Sequence, residues 1–159
     1  MTARLMERDH FEMGLAPVAD FAGADPVYSD VVNMKDHGKV RFIVVWGVGT
    51  TGTIKFTVNA CDDVVPTNET AVPFTYRVTA AAGTPGAPTR TTASDGFTNT
   101  AGSNQILEVE VDAADVGATD KSYVRLKMDE VTNDPILGGI LIQLAEPRHS
   151  GASHASAVV

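Results

Sequence analysis

From Val31 onward the chain is a succession of short runs rich in β-branched and aromatic residues, each cut off by glycine, proline, asparagine or aspartate. Such punctuation is what an antiparallel sandwich or barrel requires, because every strand must turn back within the thickness of one domain. The runs at residues 54–61, 74–78, 106–112 and 123–128 alternate in polarity. In the first, Ile54, Phe56, Val58 and Ala60 project to one side and polar residues to the other; in the third, Leu107, Val109 and Val111 share a face and Ile106 points the opposite way. A period of two assigns such residues to the two faces of a strand, whereas a helix would scatter them around its circumference. Residues 40–48 differ, being apolar at nearly every position, which is the pattern of a central strand covered on both faces.

The run at residues 136–144 contains Gly138 and Gly139 side by side, the mark of a bulge or of a close backbone approach within a strand. Residues 80–104 form the longest strand-poor stretch, with Gly83, Pro85, Gly86 and Pro88. A loop of that length is expected to be a contact surface, with a short edge strand near residues 89–93 in which Arg90 discourages unwanted pairing. Residues 1–30 lack a sustained period and read as an arm, with one short helical turn around Leu5, Met6, Phe11 and Met13. Phe11, Leu15, Val18 and Phe21 in that arm need cover, from a neighbour or from the protein's own sheet edge. The expected organisation is therefore an amino-terminal arm (1–30), an antiparallel, jelly-roll-like β-sandwich (31–148) and a small, polar carboxyl-terminal tail (149–159).

A chain of 159 residues with 43% hydrophobic content suffices for one core. The formal charge of −8 repels phosphate backbones, so nucleic acid is not an expected partner. No apolar stretch is long enough to span a bilayer and the amino terminus has no secretory pattern, so no membrane association is expected and the product is expected to fold in a cytoplasm. Cys61 is the single cysteine. It excludes an internal disulfide or a cysteine cluster, and its place at the end of a strand-like run favours a small buried hydrophobe.

Residues from Gly47 to Gly52 have the Gly-x-Gly-x-x-Gly spacing of a dinucleotide loop. That loop must open a helix whose amino terminus receives the pyrophosphate, and the alternating run at 54–61 is a strand, so a glycine-rich hairpin turn with positive φ is the expectation. His10, His37, His149 and His154 are scattered without ligand spacing. Asp36 and His37 sit in a turn-like Asp-His-Gly sequence. Asp62, Asp63, Asp112, Asp115 and Asp120 suit turn and cap roles better than a calcium loop, whose regular spacing is missing. Glu108 and Glu110 share the exposed face of one strand, with no sign of the cleft a carboxylate pair would need for glycoside hydrolysis. No catalytic, cofactor-binding or metal-ligating residue is assigned, and neither enzymatic activity nor a cofactor is expected.

Several segments together carry a resemblance: residues 33–36 (Asn-Met-Lys-Asp), the apolar strand leading into Gly47 to Gly52, residues 58–63 (Val-Asn-Ala-Cys-Asp-Asp), residues 73–77 (Pro-Phe-Thr-Tyr-Arg) and residues 123–127 (Tyr-Val-Arg-Leu-Lys). These resemble small virion structural proteins of tailed bacteriophages, over about residues 31–148. The resemblance implies a β-sandwich or jelly-roll module present in many copies, often as a trimer, that decorates or cements the major capsid shell, with host cytoplasm as the site of assembly. A head-spike base, head-tail completion or tail-tube protein would use comparable modules. A carbohydrate- or calcium-binding sandwich is the reading from a different class.

Overall fold

The computed structural model describes residues 9–23, 25–81, 83–93 and 95–148. Its strands are β1 (His10–Val18), β2 (Val27–Tyr28), β3 (Val32–Asn33), β4 (His37–Trp46), β5 (Thr53–Cys61), β6 (Glu69–Val72), β7 (Thr75–Ala81), β8 (Thr84–Pro85), β9 (Thr89–Arg90), β10 (Phe97–Thr98), β11 (Gln105–Asp112), β12 (Tyr123–Thr132) and β13 (Gly138–Pro147); a short helix, α1 (Ala113–Gly117), follows β11. They make an all-β sandwich of two antiparallel sheets. The seven-stranded sheet runs β1-β13-β4-β11-β7-β8, with β9 also on β7; the six-stranded sheet runs β10-β5-β12-β2, with β3 on β12 and β6 on β5.

The alternation read from the sequence fixes what fills the space between them. Val40, Phe42, Val44 and Trp46 of β4, Leu107, Val109 and Val111 of β11, and Ile140, Ile142 and Leu144 of β13 meet Ile54, Phe56 and Val58 of β5 and Val124, Leu126 and Met128 of β12. Each such side chain contributes roughly 1.5–3 kcal/mol of transfer free energy on burial, which is why the phase of each strand is strongly set. Aromatic rings tie the layers together. Trp46 stacks on Phe56 with centroids 6.3 Å apart, Phe97 stacks on Phe56, and Tyr76 lies 4.1 Å from Phe97.

Three expectations are corrected. First, β4 is covered on one face only: Val40, Phe42, Val44 and Trp46 are buried, while Val45 on the other face is exposed. Second, the glycine loop at 47–52 is a crossover between sheets and no hairpin, since β4 is already paired with β13 and β11 while β5 pairs with β12 and β6. Its glycines do not have positive φ. Gly52 is required by proximity, because a Cβ there would sit 2.8 Å from Ile136 Cδ1 and 2.9 Å from the Asp134 carbonyl, whereas a Cβ at Gly47 would meet nothing closer than 3.6 Å.

Third, the sandwich begins well before residue 31. Strand β1 pairs with β13 along residues 10–18, Phe21 and Ala22 are in the core, and the Phe21 amide donates to the Ile136 carbonyl at 3.1 Å. Phe11 and Met13 are thus on a strand, with no helical turn; Leu5 and Met6 lie outside the described residues, as does the tail at 149–159. Of the two readings of the glycine pair, close approach is the one realised. Strand β13 pairs with β4 in unbroken register from Gly138 to Ala145, and the irregularities are in β1, between Met13 and Leu15 and between Leu15 and Val18. A Cβ on Gly139 would meet the backbone of Leu15 and Pro17 at 3.0–3.1 Å, and one on Gly138 would enter the Phe21 ring at 2.6 Å. The region 80–104 carries the short edge strand expected near residues 89–93: β9 pairs with β7. Arg90 is held by both oxygens of Asp115, and the Asn99 side chain accepts the Ile54 amide at 2.6 Å.

Candidate docking surface

The two outer faces of the sandwich differ in kind. On the six-stranded sheet the outer positions of β5 and β12 are mostly polar: Arg125 binds Glu69 and lies 3.6 Å over the Tyr28 ring, and Lys127 binds Asp129 at 2.8 Å. Cys61 is buried under this outer layer, outside the core cluster, where its thiol contacts the Glu69 carboxylate at 3.6 Å. Burial first, and the Glu69 charge second, push the thiol up to about 12.

On the seven-stranded sheet the outer positions divide into a charged half and an apolar half. Register places Arg41 beside Glu110, and Glu108 beside Arg77. Glu108 bridges Arg41 and Arg77, Glu110 bridges Arg41 and Lys39, and Lys39 also approaches Asp112 and Glu146. The carboxylates of Glu110, Asp112 and Glu146 raise the Lys39 pKa. Cross-strand charges of alternating sign hold one another on the pleated surface. Contrary to the expectation of no cleft there, Glu108 and Glu110 line a small cavity of about 150 Å³ with Arg41, Arg77 and Tyr76.

Toward the β1 side and the glycine loop the same face becomes apolar. Met13 pairs across from Leu141 and Leu141 from Ile43; Ile106 pairs across from Val45. Phe11, two residues before Met13 on β1, is 54% exposed, Leu137 54%, Met13 50%, Val45 44%, and Ile106 and Leu141 38% each. Met13, Leu15 and Pro17 of the bulged strand β1 form one wall, and Val45, Leu137 and Leu141 the other, of a groove of about 320 Å³. Single exposed apolar residues are ordinary, whereas a contiguous patch with a groove in it marks a contact surface.

Of the residues singled out from the sequence, Leu15, Gly47, Gly138 and Gly139 line this groove, whereas the histidines and aspartates do not. The glycine loop's amides converge on an anion supplied by the chain itself: one Asp134 carboxylate oxygen accepts the Thr50 and Thr51 amides at 2.8 Å, the Thr50 hydroxyl at 2.7 Å and the Gly52 amide at 3.4 Å. These donors hold the Asp134 carboxyl well below the usual carboxylate range. Asp62 accepts the Thr67 and Asn68 amides and the Thr67 hydroxyl, which lowers its pKa, so it closes its own loop. Asp115 is committed to Arg90. His10 pairs with Glu12 at 2.6 Å, and His37 is buried at the start of β4; His149 and His154 lie outside the described residues. Among the described residues no group of His, Cys, Asp and Glu side chains is arranged to hold a metal, and no helix is long and apolar enough to cross a membrane. The sequence signal for the patch was the apolar character of 40–48, which the structure leaves half uncovered.

No family model and no curated protein matches the sequence. Among solved structures, the crystal structure of the SPBc2 prophage-derived protein YomS is similar over 87% of this chain and 93% of that chain, at 15% identity and a TM-score of 0.46.

Proposed function

We propose that the chain is a non-enzymatic structural protein of a tailed-phage particle, a decoration or cement protein bound in many copies to the major capsid shell. The observation that carries an assembly role is the apolar half of the outer face of the seven-stranded sheet. Removing such a surface from water favours association with another protein surface, and no small-molecule chemistry is needed to explain it. The resemblance of the quoted segments to small virion proteins directs that role to the particle. Attachment to the shell is assigned to the part of the amino-terminal arm that precedes β1. His10 pairs across from Leu144 and the Arg148 amide donates to the Asp36 carbonyl, so the first and last described residues sit at one end of the sheet.

The test is quantitative mass spectrometry of purified particles together with co-sedimentation. A copy number near that of the shell protein, or one third of it, is expected, and full-length chain should sediment with capsids that lack it while chain without residues 1–8 should not. Absence from particles, or failure of full-length chain to sediment, would overturn the reading. A handful of copies per particle would replace it with a spike-base or connector role.

A further inference from the structure

We infer that the apolar half of the seven-stranded sheet's outer face is covered by the same face of a second copy, in a two-fold, face-to-face pair. The inference rests on the reading of that face as a docking surface and is independent of the particle assignment.

Three observations favour a second copy. The first is area. At their observed exposures Phe11, Met13, Val45, Ile106, Leu137 and Leu141 present on the order of 500 Å² of surface, toward the upper end of what a monomer leaves uncovered. Two such patches pressed together remove on the order of 1,000 Å² before any rim is counted, which reaches the area a specific interface should clear.

The second is self-complementarity. A two-fold contact needs projection and recess on one surface, so that each copy fills the other. Here the groove between β1 and the residues Val45, Leu137 and Leu141 lies beside Phe11, a large, half-exposed side chain. The charged half of the face does not oppose the approach, because Arg41, Arg77 and Lys39 are already neutralised by Glu108, Glu110 and their neighbours.

The third is that the edges are guarded. An open sheet edge would invite pairing strand to strand. The one long edge strand of the seven-stranded sheet, β1, is bulged twice, and the Asp30 amide occupies its Gly14 carbonyl at 2.7 Å. The opposite edge consists of the two-residue strands β8 and β9. Association is thereby directed away from edge pairing and onto the face.

The experiment is light scattering coupled to size exclusion on the full chain, from about 1 to 200 µM, at about 20 mM and 500 mM salt. A mass of two copies is expected, tighter at high salt, because each copy carries −8 and screening removes repulsion while leaving the apolar contact. Leu141→Glu should raise the dimer dissociation constant at least about a hundredfold, while Thr57→Glu, on the outer face of the other sheet, should leave it within about twofold. Since a variant can fail by misfolding, Leu141→Cys supplies the second measurement: under mild oxidation it should form a covalent dimer, and Lys55→Cys should not. A monomer at every concentration and salt, a trimer, or equal cross-linking of both cysteine variants would overturn the inference. So would cross-linking of Leu141→Cys to the shell protein, and not to itself, on intact particles. Particle copy number is read separately, so the pair and the particle assignment can fail independently.

Discussion

Gly138 and Phe21 form one unit, and a double-mutant cycle tests it. Phe21 is fully buried, and a Cβ on Gly138 would lie 2.6 Å from its Cδ1 and 2.7 Å from its Cε1. Gly138 does not have positive φ, so alanine is accepted by the backbone and the effect on the folded state is contact alone. Gly138→Ala forces the ring or the strand to move, an overpacking cost of about 1–3 kcal/mol, partly offset by roughly 0.4–1 kcal/mol from the stiffer unfolded chain. Phe21→Ala leaves a cavity and costs about 3–5 kcal/mol. In the double variant the new methyl enters the space the ring vacated, so the clash disappears and the sum is too large by about 1–2 kcal/mol. The assay is urea unfolding followed by fluorescence of Trp46, the single tryptophan, which is buried in the core. For a chain of this size the Gly138→Ala effect alone corresponds to about 2–6 °C in Tm. Additivity within about 0.5 kcal/mol would refute the contact. The same cycle bears on function: residues 9–23 belong to the fold, so a truncation meant to test shell attachment must stop before β1.

Asp134→Ala should lower Tm at pH 7 and speed amide exchange at Thr50–Gly52. Its folded pKa is depressed and its unfolded value is about 3.9, so its contribution is complete above about pH 5 and is lost as pH falls toward the folded pKa. The Tm gap between parent and variant should therefore narrow from pH 7 to pH 3; a gap constant with pH would refute the carboxylate's role. Cys61, with its thiol pushed up to about 12, should not react with a disulfide reagent at pH 8 in the folded protein and should titrate as one thiol per chain in urea. Rapid labelling of the native chain would contradict its burial.

Much of the fold was legible because alternation carries its own physics. Leu107, Val109 and Val111 face the core and Ile106 faces out, as their period requires, and the same rule places Ile54, Phe56 and Val58. Pairing was less legible, since it depends on residues far apart in sequence. The loop from Gly47 to Gly52 looks like a turn between partners, but its conformation is set by Ile136 and Asp134, more than 80 residues away, and its glycines answer to the space those residues take. Residues 10–23 carry two bulges and a proline, so β1 shows no clean period although it is firmly paired.

The docking surface was present in the sequence but under the wrong description. An apolar run such as 40–48 states that both faces of a strand avoid water; it does not state whose atoms exclude the water. For Val40, Phe42, Val44 and Trp46 the cover comes from the opposite sheet. For Val45 it does not come from the described chain, and the neighbours that register gives it, Ile106 on β11 and Gly139 on β13, extend the same deficit across four strands to Leu141 and Met13. A deficit confined to one β-residue would be noise. One that follows the cross-strand register, ends where the Arg41–Glu108–Arg77 ladder begins, and faces away from the core is a continuous apolar surface, and it is this continuity that the proposed pairing rests on.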